Sequence, residues 1–151
     1  MDKLDSLLAE TSIKYKIEYR DDLPSKLGGL CQGSTILLNS RKSRQEQLQN
    51  LAEEVAHQES TVGDILDQKN LQDVKQENKA RGLAYERLVN LNDLIALQQY
   101  ATNEFELADL LDVTPKFLNK AIEHYRIKRG NIFTYKGMLI NLTNGIQILS
   151  A

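Results

Sequence analysis

The chain has 151 residues, of which 41% are hydrophobic and 26% are charged, and its formal net charge is -2. This composition predicts a soluble globular protein of one domain or two small ones, and it excludes a general electrostatic attraction to nucleic acid or acidic membranes. No apolar run approaches the roughly 20 residues of a membrane span, and the N-terminus has no signal-peptide pattern. No membrane partner is therefore expected. The single cysteine, Cys31, cannot form an internal disulfide, which favours a reducing cytoplasm.

Short elements are predicted before residue 43. Leucines at helical spacing predict an amphipathic helix over residues 3–12, and KYKIEYR is typical of a short strand or an extended connector. Gly33-Ser34 is a two-residue turn signal between GLCQ and the β-prone run TILLN, which predicts a hairpin. Cys31 lies in this hairpin. As the single cysteine in apolar surroundings, it is predicted to be a small buried residue and not a nucleophile.

A long helix is predicted to begin at Ser43, because Ser43 and Glu46 have the spacing of a capping box. Apolar residues then recur at the spacing of a core-facing helical stripe: Leu48, Leu51, Ala52, Val55 and Ala56. A loop is predicted over residues 59–70, and a second long helix is predicted from about Leu71 to Val89.

Three more helices and a terminal antiparallel β-meander are predicted after residue 90. The expected caps and turns are Asn92, Asn103 with Glu106, Thr114-Pro115, Gly130, Lys136-Gly137 and Asn144-Gly145.

The polar face of the first long helix is a candidate metal site. Glu53 and His57 are four residues apart, so both side chains can reach one ion, while Glu54 is angled away and can hold a water molecule. Glutamate and histidine are common on the polar faces of ordinary helices, so a solvated face is the interpretation that periodicity favours. Periodicity alone leaves both interpretations open.

The segment LAEEVAHQESTVGDIL is followed by KQENKARGLAYERLV, in which Glu77 begins an E-x-x-A pattern twenty residues after His57. Together with the hairpin GGLCQGSTILLN, these segments resemble the ImmA/IrrE family of metallo-endopeptidases over roughly residues 27–111. The likeness is particularly to members from phages and integrative elements of Gram-positive bacteria. In that family an LAHE-x-x-H helix supplies two metal ligands and the catalytic glutamate, and a second helix supplies a third ligand.

The resemblance implies that Glu53, His57 and Glu77 are metal ligands and that Glu54 is the general base of a metal-dependent endopeptidase. Most of the family has histidine where this chain has Glu53. Carboxylate is an acceptable zinc ligand, but two carboxylates with one imidazole make manganese a relatively better competitor for the site. Zinc is therefore the expected ion, with manganese as the alternative. Tyr85, Arg81 and His124 are candidate oxyanion donors by residue type only.

The resemblance also implies a protein substrate, the helix-turn-helix repressor of a mobile element, whose cleavage relieves repression. Two alternatives stay open. The first is an inactive regulator of the same fold that binds the repressor. The second is a DNA-binding accessory protein, because EFELADLLDVTPKFLNKAIEHYRI is typical of a helix-turn-helix and carries Lys116 and Lys120 on its second helix. The acidic residues nearby and the negative net charge make DNA the less favoured partner.

The sequence thus predicts an α+β protein in two parts. A minimal zincin-like peptidase domain is expected over residues 1–90. Helix-turn-helix-like helices and a C-terminal β-meander are expected over residues 91–151.

Overall fold

A computed structural model of the protein describes the backbone of residues 2–61 and 70–150, and the side chains of residues 2–60 and 77–150. Within these ranges the chain forms six helices and two three-stranded sheets, which confirms the predicted α+β class. The chain divides into two compact units, residues 1–84 and 85–151.

The first unit contains a small mixed sheet and the first long helix. Its elements are α1 (Lys3–Thr11), β1 (Lys16–Arg20), β2 (Gly29–Gln32), β3 (Thr35–Asn39) and α2 (Arg44–Thr61), followed by α3 (Asn70–Leu88), which continues into the second unit. Strand β3 lies in the middle of the sheet, parallel to β1 and antiparallel to β2. The predicted hairpin is confirmed, and Gly33 in its turn has a φ of 62°. This positive φ favours glycine, which has no Cβ to clash with the backbone.

Helix α2 packs its apolar stripe against β2, β3 and α1. The five predicted stripe residues are all buried, which confirms the predicted core face: Leu48, Leu51, Ala52, Val55 and Ala56. The capping box is also confirmed, because the backbone N–H of Glu46 donates to Ser43 Oγ at 3.1 Å and the Glu46 carboxylate accepts from Ser43. The start and the rotation of α2 are therefore determined by local signals in the sequence.

The predicted loop over residues 59–70 is wrong at both ends. Helix α2 extends to Thr61, and α3 already begins at Asn70. The sequence has no helix-breaking residue between Glu59 and Thr61, so the hydrogen bonding of α2 can continue. Residues 62–69 of the predicted loop lie outside the described part of the chain.

The second unit contains three short helices and an antiparallel sheet. Its elements are the end of α3, then α4 (Leu91–Gln98), α5 (Glu104–Leu110), α6 (Pro115–Arg129), β4 (Ile132–Tyr135), β5 (Met138–Asn141) and β6 (Gln147–Ser150). The strand order β4-β5-β6 confirms the predicted meander. Its first turn has positive φ angles at Lys136 and Gly137, as the Lys-Gly turn signal predicts.

Most of the predicted helix caps of the second unit are right. Asn103 and Thr114 accept hydrogen bonds from the third residue after each, and Gly130 ends α6 with a φ of 90°. The prediction for Asn92 is wrong, because Asn90 caps α4 by accepting from the backbone N–H of Asp93 at 2.9 Å. Starting α4 two residues earlier places the buried residues Leu91 and Leu94 one turn apart on the same face.

Tyr125 is a large buried side chain in the core of the second unit, and it carries a polar hydroxyl group. It is 2% exposed, and its hydroxyl donates to the carbonyl oxygen of Val89 at 2.7 Å. Burial raises the pKa of Tyr125, so the hydroxyl stays protonated and keeps donating.

Replacing Tyr125 with phenylalanine is expected to lower the free energy of unfolding by about 1–3 kcal/mol, because the Val89 carbonyl loses its buried donor. Urea unfolding of Tyr125→Phe beside wild type measures this difference. Tyr100→Phe is the matched control. Tyr100 is 70% exposed, so water can hydrogen-bond to any group that its hydroxyl contacts. Equal losses in both variants would contradict a specific role for the buried hydrogen bond.

Candidate functional site

The three side chains of α2 that the sequence singles out lie beside its buried stripe. Glu53, Glu54 and His57 are all half-buried, in contrast to the fully buried Leu51 and Val55. Since the stripe is held against the sheet and α1, the rotation of α2 fixes the direction in which these polar side chains leave the helix.

His57 and Glu77, two of the three predicted metal ligands, are brought together from α2 and α3. The Nε2 atom of His57 lies 3.2 Å from Oε1 of Glu77. Arg81 follows Glu77 by one helical turn, and its Nη2 atom lies 4.0 Å from Oε2 of Glu77. The side chains of His57 and Glu77 are 28% and 47% exposed, so the pair is accessible to solvent.

The donor chemistry of this pair suits a divalent ion such as zinc. Imidazole nitrogen and carboxylate oxygen bind zinc at about 2.0–2.1 Å, and two ligands of one tetrahedral ion then lie about 3.3 Å apart. The distance of 3.2 Å between the two donor atoms agrees with that spacing. The same distance also suits a direct hydrogen bond from the imidazole to the carboxylate.

The described residues fit a metal ion only in part. Among the side chains of residues 2–60 and 77–150, no group of three or more histidine, cysteine, aspartate or glutamate residues is placed to hold an ion. Glu53 lies one turn before His57 on α2, as its helical spacing requires. Its role as the third ligand stays a prediction, as do the roles of His57 and Glu77.

Glu54, the predicted general base, contacts the thiol of Cys31 on β2. The Sγ atom of Cys31 lies 3.0 Å from Oε2 of Glu54 and 3.8 Å from the backbone oxygen of the same residue. Burial raises the pKa of Cys31 to about 12, and the hydrogen bond to Glu54 adds to this rise, so the thiol is protonated at neutral pH and donates to the carboxylate. Cys31 is half-buried, which corrects the prediction of a buried residue.

The predicted oxyanion donors lie in different surroundings. Arg81 lies near the Glu77 carboxylate. In the second unit, Tyr85 packs edge-on against Phe117, with ring centroids 5.1 Å apart. His124 Nε2 lies 2.8 Å from Oε2 of Glu86. The position of Arg81 beside a predicted ligand is compatible with the predicted role, which stays a prediction for all three residues.

Glu86 is the centre of a polar cluster in the second unit. Its carboxylate accepts from Lys128 Nζ at 2.8 Å and pairs with His124. Burial pushes the pKa of Glu86 upward, but the hydrogen bonds from Lys128 and His124 outweigh it, and the pKa lies below its usual range. His124 therefore has a carboxylate partner in the second unit, and its role as an oxyanion donor stays a prediction.

The helix-turn-helix elements are present in the second unit. Helices α5 and α6 pack together and are joined by residues 111–114, where Asp112 has a φ of 60°. Lys116 and Lys120, the predicted DNA contacts, are both exposed on α6. Arg126 is held within the unit, because its Nε donates to the Leu142 carbonyl at 2.7 Å. A role of α6 in DNA binding stays a prediction.

None of the helices in the described part of the chain combines the length and the apolar character needed to cross a membrane.

The comparison with known families supplies independent information on the same region. The model of the family described as IrrE N-terminal-like domain, Peptidase_M78, matches residues 4–123. This range covers 120 of the 151 residues, and it includes the hairpin, both long helices and every predicted ligand. No curated protein and no solved structure matches the chain significantly.

Proposed function

The chain belongs to the family of IrrE N-terminal-like domains, Peptidase_M78, and we propose that it is a metal-dependent endopeptidase that cleaves another protein. The family membership makes residues 4–123 a metallopeptidase-like domain. The observation that carries the proposal is the pairing of His57 with Glu77 across α2 and α3, at a spacing that suits two ligands of one ion. Glu53 completes the proposed ligand set, with zinc as the ion and manganese as the alternative.

The proposed chemistry divides between the ion and Glu54. A divalent ion held by Glu53, His57 and Glu77 would polarise a peptide carbonyl and make water a stronger nucleophile. Glu54 takes up the proton of the attacking water and delivers it to the leaving amine. Arg81 is the proposed donor to the developing negative charge, because its Nη2 atom lies 4.0 Å from Oε2 of the proposed ligand Glu77.

The proposed substrate is the helix-turn-helix repressor of a mobile element, as the resemblance of the α2 sequence implies. The surface of the second unit supports a protein partner better than DNA. Tyr100, Phe105 and Ile127 are each about 70–80% exposed, and exposed apolar side chains favour contact with another protein. Glu123 lies on α6 and pairs with Arg126, which offsets the positive charge of that helix.

Two alternatives each have an observation in their favour. An inactive regulator that only binds the repressor agrees with the lack of a three-ligand group among the described side chains. A DNA-binding accessory protein agrees with the exposure of Lys116 and Lys120 on the second helix of the helix-turn-helix.

Removal of metal tests the proposed function directly. Cleavage of the repressor is expected to stop when the purified protein is treated with a chelator and to return when zinc or manganese is added, with fragments identified by mass spectrometry. Binding of intact repressor without fragments, under every metal condition, supports the inactive regulator instead. A shift of duplex DNA that falls steeply with salt and is lost in Lys120→Ala supports the DNA-binding alternative.

A further inference from the structure

Strand β2 lies beside the side chain of Glu54. Gly29 and Cys31 are two residues apart on β2, so they face the same side of the sheet, towards α2. A Cβ atom at Gly29 would lie 3.2 Å from Cγ of Glu54, a tight contact, and the Cys31 thiol lies 3.0 Å from Oε2. The strand therefore contacts the carboxylate through Cys31, and Gly29 leaves room for the stem of the same glutamate.

We propose that Cys31 is a positioning residue whose thiol holds the Glu54 carboxylate in its catalytic orientation. The thiol donates its one hydrogen to Oε2, which leaves Oε1 to accept the proton of the attacking water. This inference rests on the proposed function, in which Glu54 is the general base. Cys31 acts through Glu54 and does not itself contact the substrate.

The environment of the thiol suits this role. Burial keeps Cys31 protonated, so it is a hydrogen-bond donor at physiological pH and a poor nucleophile or redox sensor. A lysine or arginine at this position would also hold the carboxylate, but it would add a positive charge beside the predicted metal ligands. A neutral thiol orients Glu54 without that repulsion.

Holding Glu54 matters because a glutamate side chain has several rotatable bonds and samples many orientations when it is unrestrained. Gly29 leaves room for the stem beside the strand, since a Cβ at this position would lie 3.2 Å from Cγ of Glu54. The Cys31 hydrogen bond then selects the orientation of the terminal carboxylate. Neither residue is in the α2 motif.

Infrared spectroscopy tests the contact without any activity measurement. The chain has one cysteine, so its S–H stretch gives a single band in a spectral region where proteins absorb little. We expect this band at lower wavenumber in the wild type than in Glu54→Leu, which removes the carboxylate acceptor at 3.0 Å and keeps only the backbone oxygen at 3.8 Å. Glu59→Leu is the control, because Glu59 is exposed on the same helix, and its band is expected to match the wild type. Matching bands in Glu54→Leu and wild type would overturn the inference.

Kinetics of repressor cleavage test the catalytic consequence. Cys31→Ala is expected to lower kcat by about 10- to 100-fold with KM and metal content unchanged, because misplacing a catalytic group mainly slows the chemical step. Cys31→Ser keeps a hydroxyl donor and is expected to recover most of the loss. A normal kcat in Cys31→Ala, or equal losses in the alanine and serine variants, contradicts the positioning role.

The two experiments separate failure of this inference from failure of the proposed function. If wild type cleaves no repressor under any metal condition, the proposed function fails, and the infrared comparison still decides whether Cys31 holds Glu54. If wild type cleaves but the S–H band is insensitive to Glu54→Leu, the peptidase stands and the inference about Cys31 is wrong. If Cys31→Ala does not fold, the kcat of Cys31→Ser and the infrared comparison still test whether Cys31 positions Glu54.

Discussion

Replacing Glu54 with glutamine is expected to lower the rate of repressor cleavage by about 10²–10⁴-fold, the usual contribution of a general base. Glutamine has nearly the same shape and still offers a carbonyl oxygen to the Cys31 thiol, but it cannot take up the proton of the attacking water. The packing of α2 is expected to be unchanged, because its buried stripe does not include Glu54. The variant should therefore fold, bind its metal ion and bind the repressor without cleaving it.

Three measurements on Glu54→Gln make this expectation specific. Single-turnover cleavage gives the rate of the chemical step, metal analysis gives the ion content, and a binding assay gives the affinity for the repressor. Glu59→Gln is the matched control, because it makes the same chemical change at an exposed position of the same helix. If Glu54→Gln loses its metal together with its activity, Glu54 acts as a ligand and the proposed division of roles is wrong. If it still cleaves at the wild-type rate, another group is the base.

Helix α2 shows which parts of the fold the sequence determines locally. The capping box at Ser43 and Glu46 and the spacing of the apolar stripe involve residues at most one or two turns apart. Such contacts form within one helix, so the sequence pattern is enough to predict where the helix begins and which face is buried. The hairpin at Gly33 was predictable for the same reason, since a tight turn requires specific residues at adjacent positions.

Non-local contacts were less predictable. The parallel pairing of β1 with β3 depends on a connection that passes through β2, and no local signal in KYKIEYR specifies a partner strand. The contact of Cys31 with Glu54 joins residues 23 positions apart, on a strand and a helix. The position of Cys31 in an apolar stretch predicted burial, whereas the polar partner that leaves it half-buried comes from another element.

The candidate site depends both on local spacing within a helix and on contacts between residues far apart in the sequence. The spacing from His57 to Glu77 gave no geometric reason for the two side chains to meet, because residues 62–69 intervene between the two helices. The likeness of the two segments to one family supplied that reason, and the distance of 3.2 Å between the two side chains agrees with it. Glu53 differs, because helical periodicity alone relates it to His57, and the described side chains form no group of three ligands. The ligand set therefore needs a direct measurement of bound metal.

Metal binding is expected to depend on His57, Glu77 and Glu53 together. Wild type is expected to bind about one zinc ion per chain, and each of the variants His57→Ala, Glu77→Gln and Glu53→Gln is expected to lose more than about 100-fold in affinity. This loss should exceed that caused by removing an outer-shell partner of a ligand, which is about 10- to 100-fold. Lys79→Ala is the control, because Lys79 is exposed on α3 two residues after Glu77. Metal analysis after dialysis and competition with a chelator measure stoichiometry and affinity.

Thermal unfolding with and without zinc separates a metal site from a simple ion pair. A partly exposed pair such as His57 and Glu77 contributes only about 0–1 kcal/mol to stability, so the metal-free variants should unfold close to metal-free wild type. An ion that binds only the folded state adds about 2.7 kcal/mol at a free concentration 100 times its Kd. Zinc should therefore raise the Tm of wild type and of Lys79→Ala but leave the three ligand variants unchanged. A normal zinc response in Glu53→Gln alone would remove Glu53 from the ligand set, and no response in wild type would favour the inactive regulator.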